Sequence, residues 1–239
     1  MEKQKSHTIY RTLSKQRDMN IIKSEGIVIK KTDVGEADVV LKVFTKEFGK
    51  IDIYVNGIRK SKNREKISVE LMSISEFLIY EKNSKYVSNS FTIKTFFSKV
   101  SLDYSKLNFS YYILHLIDKI YEYNSEDKEF YDKIVNSFEY INNLDGKNEI
   151  LLYYLVLFLL KSIILNHGIY DYENILEEVR SADSREKIED ILNNDSRDVL
   201  QQGKYTKDEI REMIVHLEKY INHNLNMNLK FEFFISLSI

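Results

Sequence analysis

The hydrophobic period of this chain changes once, near residue 100, and that single change sets the fold classes open to it. From Ser24 to about Phe97 apolar residues recur at a period of two. Ile27 and Ile29 form one face of a first strand, and Asp33-Val34-Gly35-Glu36 has turn chemistry. Val39 to Thr45 reads as a second strand, closed by Lys46-Glu47-Phe48-Gly49. In the third, Ile51, Ile53 and Val55 alternate with Asp52, Tyr54 and Asn56. Met72 to Tyr80 predicts a fourth strand, Asn83-Ser84 a turn, and Tyr86 to Phe97 a fifth. Five strands in so short a stretch, with one longer irregular loop, predict a small barrel. Its aromatic residues Phe44, Phe77, Phe91 and Phe97 are expected in the barrel core.

From Leu102 onward the period is helical. Leu107, Tyr111, Leu114, Asp118 and Tyr121 trace one flank of a helix, with Ile113, Ile117 and Ile120 beside it. Phe130, Ile134, Phe138 and Ile141 mark a second. Gly146 precedes a third, Asn148 to Leu165, which is apolar nearly all round and therefore expected to be central. Gly168 stops it. Glu173 to Asn194 predicts two short polar helices. Thr206-Lys207-Asp208-Glu209 is a capping box ahead of Ile210, Met213, Ile214, Leu217 and Ile221. The expected organisation is an extension over residues 1–20, a barrel over 21–100 and an all-helical domain over 101–239, an α+β chain with its strands first.

Cysteine is absent, which excludes disulfides, cysteine nucleophiles and thiolate zinc sites. Residues 1–18 are polar and basic with no apolar segment of the signal-peptide kind, and Met19 is an alternative start. The longest apolar run, Ile150 to Leu160, is too short to span a bilayer and reads as a buried helix. There is no phosphate-binding glycine loop, nucleophile elbow, H-E-x-x-H pair or calcium loop. The histidines, His7, His115, His167, His216 and His223, form no local ligand cluster. Acidic pairs such as Glu177-Glu178 and Glu189-Asp190 read as solvated faces. No catalytic residue, metal or cofactor is expected.

Charge divides the chain at the same place as the period. Residues 1–100 hold 20 Lys+Arg against 12 Asp+Glu, a net of +8, and residues 101–239 hold 15 against 25, a net of −10. The densest basic segment is Gly57-Ile58-Arg59-Lys60-Ser61-Lys62-Asn63-Arg64-Glu65-Lys66, with five cations and one anion. A mobile loop of this charge on a barrel suits a phosphate backbone, whose binding is driven by counterion release. Lys30, Lys31, Lys46 and Lys50, at strand ends or turns, are expected to extend the patch. Tyr54 faces away from Ile53 and Val55 and is the best-placed aromatic for stacking an unpaired base, with Tyr86 a weaker one.

The first half resembles the RecO family of bacterial recombination mediators. The resemblance is carried by Glu25-Gly26-Ile27-Val28-Ile29-Lys30, Gly35-Glu36-Ala37-Asp38, Phe44-Thr45 with Gly49-Lys50, and Asn56-Gly57-Ile58-Arg59-Lys60-Ser61. It is detailed over residues 21–97 and coarse beyond. It implies an N-terminal OB fold, a helical C-terminal domain, and a cytoplasmic, nucleoid-associated, non-enzymatic protein. It also implies binding to single- and double-stranded DNA, annealing of complementary strands, and help in loading RecA onto coated single strands. The partners implied are RecR and the tail of single-stranded-DNA-binding protein, which needs cations and an apolar groove on the helical domain. Lys161, Arg211 and Lys219 are the contributors considered for it. Many family members carry a four-cysteine zinc module here, and this chain, without cysteine between Asn166 and Lys204, departs from them. The competing expectation is a protein-interaction adaptor whose basic barrel serves an acidic protein and has no specific DNA role. A third is a hydrolase acting on nucleic acid.

Overall fold

The computed structural model of the chain describes residues 21–145, 148–177, 179 and 181–236, so the N-terminal extension and Gly146 lie outside the described residues. Two compact units are present. The first holds residues 21–96 and Glu122–Asp132, and the second holds Phe97–Tyr121 and the chain from Lys133 onward.

The first unit is a closed barrel of β1 (Ile22–Val34), β2 (Asp38–Thr45), β3 (Gly49–Val55), β4 (Ile74–Lys82) and β5 (Lys85–Thr95). The strand order is β1-β2-β3-β5-β4, with β3 and β5 parallel and every other pair antiparallel. This is the OB fold. Period-two patterning builds its core: Val39, Leu41 and Val43 of β2, Ile51, Ile53 and Val55 of β3, and Phe77 and Ile79 of β4 meet inside. On β1 the inward residue of that cluster is Val28, and a bulge between Val28 and Lys30 resets the register, so Ile27, Val28 and Ile29 are all buried. Asn83 and Ser84 both take left-handed backbone (φ 52° and 57°), the geometry of a two-residue hairpin that matches the strand twist.

Phe77 lies in the barrel core and Phe91 packs against it. The other two expected core aromatics do not belong there. Phe44 is on the outer side of β2 and is buried by Phe130 and Tyr131, whose ring centroids lie 6.3 and 5.9 Å away. Phe97 stacks on Phe138 in the second unit at 5.5 Å. The agent at Phe44 is the returning segment Glu122–Asp132. It pairs with β3 through a Lys50–Tyr123 bridge and an Asn124 N–H donated to the Lys50 carbonyl at 3.0 Å. Gly49 makes that approach possible: φ is +64°, and a Cβ there would stand 1.9 Å from the Ser125 carbonyl oxygen.

The second unit is helical. With the first turn of α2 counted to the barrel unit, the elements are α1 (Tyr104–Ile120), α2 (Lys128–Asn143), α3 (Ile150–Asn166), α4 (Tyr172–Glu177), α5 (Ala182–Asn193), α6 (Ser196–Gln202), α7 (Lys207–Leu225) and α8 (Phe231–Ser236). On α1 the buried stripe is Phe109, Tyr112, Ile113, Leu116, Ile117 and Ile120, and Tyr111 is exposed. Leu114 and Tyr121 of the expected flank are also buried, and Phe109 and Tyr112 widen the face by joining an aromatic cluster with Tyr153 and Phe231. The apolar helix α3 is buried along most of its length and packs mainly on α7. Thr206 and Glu209 form the capping box of α7. Among the described residues no helix is long and apolar enough to cross a membrane.

Candidate nucleic-acid interface

The loop after β3 is built around one apolar anchor. Ile58 is 1% exposed and joins the barrel core, a burial worth about 1.5–3 kcal/mol. Around it, the Arg59 N–H donates to the Ala37 carbonyl (2.9 Å), the Gly57 N–H to Asp38 Oδ1 (2.7 Å) and the Arg64 N–H to Ser61 Oγ (3.1 Å). The loop is therefore pinned to the β1–β2 hairpin rather than free, and the chain alternates around Ile58 so that its cations point outward.

Those cations differ in how much charge they offer. Arg59 pairs with Asp33 (3.2 Å) and donates to the Gly35 carbonyl (2.8 Å), and Lys60 pairs with Glu36. Asp33 lies at the end of β1 and Glu36 in the β1–β2 turn. Lys66 donates to the Arg59 carbonyl (2.9 Å), which leaves its charge uncompensated. Arg64 donates to the Asn56 carbonyl (2.7 Å) and lies over the Phe91 ring, 5.2 Å from its centroid; its Nε and Nη2 are buried without a hydrogen-bond acceptor. Lys62 is exposed, and no ion pair or hydrogen bond engages it among the described residues. Arg64 is thus a strut against the barrel, and Lys62 and Lys66 are the most available charges.

The outlying lysines do not all extend this patch. Lys30 is exposed on β1, and Lys31 pairs with Glu70 at 2.7 Å. Lys46 follows β2 and Lys50 of β3 pairs with Phe44 near the far end of β2, about 20 Å along the strand from the hairpin that holds the loop. Lys46 pairs with Asp132 at 2.8 Å, and that carboxylate raises its ammonium above the usual value. Lys50 is only 4% exposed, with its ammonium 5.0 Å from the Tyr123 ring centroid, and does not join an exposed surface. A lysine beside a turn reads as exposed, but the returning segment covers it. Tyr54 is on the outer face of β3, half-buried, with the Lys85 ammonium 4.6 Å from its ring centroid. Tyr86 packs against the barrel core instead.

In the helical unit Lys161 is not available to a partner. Its ammonium donates to the Ile191 and Asn194 carbonyls at 2.8 Å each, closing the C-terminus of α5, and burial lowers its pKa. Arg211 and Lys219 line one open groove of about 960 Å³ together with Lys187, Ile188 and Met213. Arg211 pairs there with Glu232. The cysteine-free stretch between Asn166 and Lys204 is held by polar contacts. Lys187 bridges Asp183 and Glu209, Tyr205 donates to Asp190, and Lys161 supports α5. Four thiolates cannot be assembled from a chain without cysteine, and no group of three or more His, Asp or Glu side chains among the described residues is placed to hold a metal ion.

Residues 19–96, the barrel and its basic loop, match the family model described as Recombination protein O N terminal. Through this barrel the chain is similar to the RecO family. Similar proteins include the DNA repair protein RecO of Alkaliphilus metalliredigens, 32% identical over 102 residues, covering 43% of this chain and 42% of that protein. The DNA repair protein RecO of Thermoanaerobacter sp. is 27% identical over 126 residues (53% and 51%). That of Clostridium perfringens is 29% identical over 143 residues (60% and 58%). The chain matches about half the length of these RecO relatives, and the RecO family model falls entirely within its first 96 residues.

Proposed function

We propose that the chain is a recombination and repair mediator that works by binding. It holds single- and double-stranded DNA on the barrel, anneals complementary strands, and helps load RecA onto single strands coated by single-stranded-DNA-binding protein. The observation that carries this reading is the pinned loop Gly57–Lys66 on an OB barrel similar to that of the RecO family, which presents Arg59, Lys60, Lys62 and Lys66 at its surface while Arg64 braces it against Phe91. Counterion release drives binding at such a surface, and Ile58 fixes it in place so that little ordering is lost on contact. No covalent bond is made or broken in this reading. RecR and the acidic tail of single-stranded-DNA-binding protein are the partners it requires. For the tail, the groove beside Ile188 and Met213 offers Lys219, since Arg211 is paired with Glu232 and Lys187 with Asp183 and Glu209.

The test is annealing of two complementary labelled oligonucleotides by the wild type and by a variant with Arg59, Lys60, Lys62, Arg64 and Lys66 reversed to Glu. Acceleration by the wild type and its loss in the folded variant are expected. If the variant anneals as fast as the wild type, the site is misassigned. If the wild type neither binds nor anneals DNA, while nuclease-treated partners still bind the barrel, the adaptor reading replaces this one.

A further inference from the structure

One side of α1 (Tyr104–Ile120) is buried in the helical unit and the other meets solvent. On the solvent side Tyr104, Leu107, Tyr111 and His115 follow one another at three or four residues, so they form one row along the helix. Tyr104 is 80% exposed and Tyr111 38%, while Leu107 and His115 are half-buried. The row carries no fixed charge, and burial lowers the pKa of His115, which keeps it neutral near pH 7. The C-terminal helix α8 widens this face. The Phe234 ring lies 5.0 Å from His115, and Phe233, 57% exposed, lies 5.6 Å from Phe234. Leu102, just ahead of α1, is 84% exposed. Together these side chains leave an apolar patch on the order of 600 Å², the size at which exposed apolar surface marks an interaction site. A solvated helix of the same unit looks different: over Lys207–Lys219 every exposed position of α7, which is Lys207, Asp208, Arg211, Glu212 and Lys219, is charged.

We propose that this face joins two copies of the chain, with α1 packed antiparallel on α1 about a twofold axis at Tyr111. The charge pattern of the face is complementary to itself. Residues 101–239 carry a net charge of −10, so two such units repel where their charged surfaces meet, and the α1 row lets them meet without that repulsion. An axis at Tyr111 sets each residue against the one equally far along the helix on the other side. Tyr111 then meets its own mate, Leu107 faces His115, and Asp103 at one end faces the exposed Lys119 at the other. That pair of opposite charges forms twice, and antiparallel helices also align their dipoles favourably. A parallel pairing instead sets Lys119 against Lys119 and Asp103 against Asp103. Two copies bury about 1,200 Å² in all, at the lower end of stable specific interfaces, which fits a reversible dimer. Such a dimer holds two barrels in one particle, so ligands bound to each are kept close together. The proposal goes beyond the nucleic-acid reading and does not depend on it.

The test reads mass and needs no DNA. Sedimentation equilibrium of the full chain is run from about 5 to about 200 μM for the wild type, Tyr111→Arg and Lys119→Glu, each checked for folding by thermal melting. Both positions are exposed, so neither change strikes the core. The wild type is expected to rise toward twice the monomer mass. Tyr111→Arg sets two like charges on the axis and is expected to stay monomeric throughout. Lys119→Glu sets two carboxylates against Asp103 and is expected to weaken the dimer about tenfold, and adding Asp103→Ser, which keeps a capping side chain, is expected to recover at least about threefold. Because the chain has no cysteine, Tyr111→Cys carries a single thiol. A short bismaleimide is expected to link it to its mate, while Lys62→Cys on the barrel stays unlinked. A wild type that is monomeric at the highest concentration overturns the proposal. A dimer that persists in folded Tyr111→Arg, or whose Tyr111→Cys thiols do not link, also overturns it and moves the contact to another face.

Discussion

Two of the five loop cations are held by the protein's own carboxylates, and this has a measurable cost. Asp33, at the end of β1, pairs with Arg59 and Glu36, in the β1–β2 turn, with Lys60, and both acids have exposed side chains, at 55% and 86%. A phosphate that takes Arg59 and Lys60 must first displace them. An exposed ion pair is worth about 0.2–1 kcal/mol, so releasing both is expected to tighten DNA binding by about twofold to thirtyfold. Charge counting gives a second observable. With Arg59 and Lys60 occupied and Arg64 held against the barrel, about two remain for phosphates, and at about 0.7 per neutralised phosphate the wild-type salt slope for a single strand is about 1.4. Asp33→Asn/Glu36→Gln frees two more and steepens the slope toward about 2.8. Arg59 keeps its Gly35 carbonyl and Ile58 stays buried, so the loop holds its place. The assay is fluorescence polarisation of a labelled oligonucleotide at several salt concentrations. A double variant with the affinity and slope of the wild type would refute the idea that these acids compete with phosphate.

Three further predictions concern the framework. Glu218 accepts from the Tyr112 hydroxyl (2.6 Å) and the Phe231 N–H (2.7 Å), and burial raises its pKa above the usual carboxylate value. The folded state then holds the proton more tightly than the unfolded state, so this group's contribution is greatest at low pH and is lost as pH rises through the raised value. Glu218→Gln is expected to flatten that part of the pH–stability profile, and Glu218→Ala to cost about 2–4 kcal/mol in urea unfolding by orphaning two buried donors. Lys161→Met removes the ammonium from the Ile191 and Asn194 carbonyls and is expected to lower stability by about 1.5–3 kcal/mol and to expose α5 to hydrogen exchange before α3. Gly49→Ala places a methyl against the Ser125 carbonyl at positive φ, and is expected to lower the melting temperature and to speed exchange of the Asn124 amide.

Much of this could be read from residue order where the signal is local. Ile51, Ile53 and Val55 mark β3 because period-two burial needs nothing beyond the strand itself. Asn83-Ser84 marks its hairpin, and Thr206 with Glu209 marks the start of α7. The readings that changed depend on distant partners. Lys50 is buried by Tyr123 and Phe44 by Phe130 and Tyr131, residues far along the chain in what reads locally as a helical half. The one trace of that return is Gly49, whose missing Cβ leaves room for Ser125. The neutralisation of Arg59 and Lys60 likewise requires the β1–β2 turn to be placed beside the loop, and composition alone counts those cations as free. Lys161 looked available because helix charges commonly face water, whereas here the C-terminal carbonyls of α5 claim it. The helices Ser196–Gln202 and Phe231–Ser236 are too short for a periodic pattern to emerge.

The central claim is that the Gly57–Lys66 loop is the phosphate-binding surface. The most direct measurement is the affinity of a labelled single-stranded oligonucleotide across a salt series for the wild type and for the variant with all five loop cations reversed. The account predicts a wild-type log–log slope corresponding to about two phosphates, and a folded variant whose binding is lost or whose slope is nearly flat. A folded variant that keeps the wild-type affinity and slope would contradict it and would move the interface away from the loop.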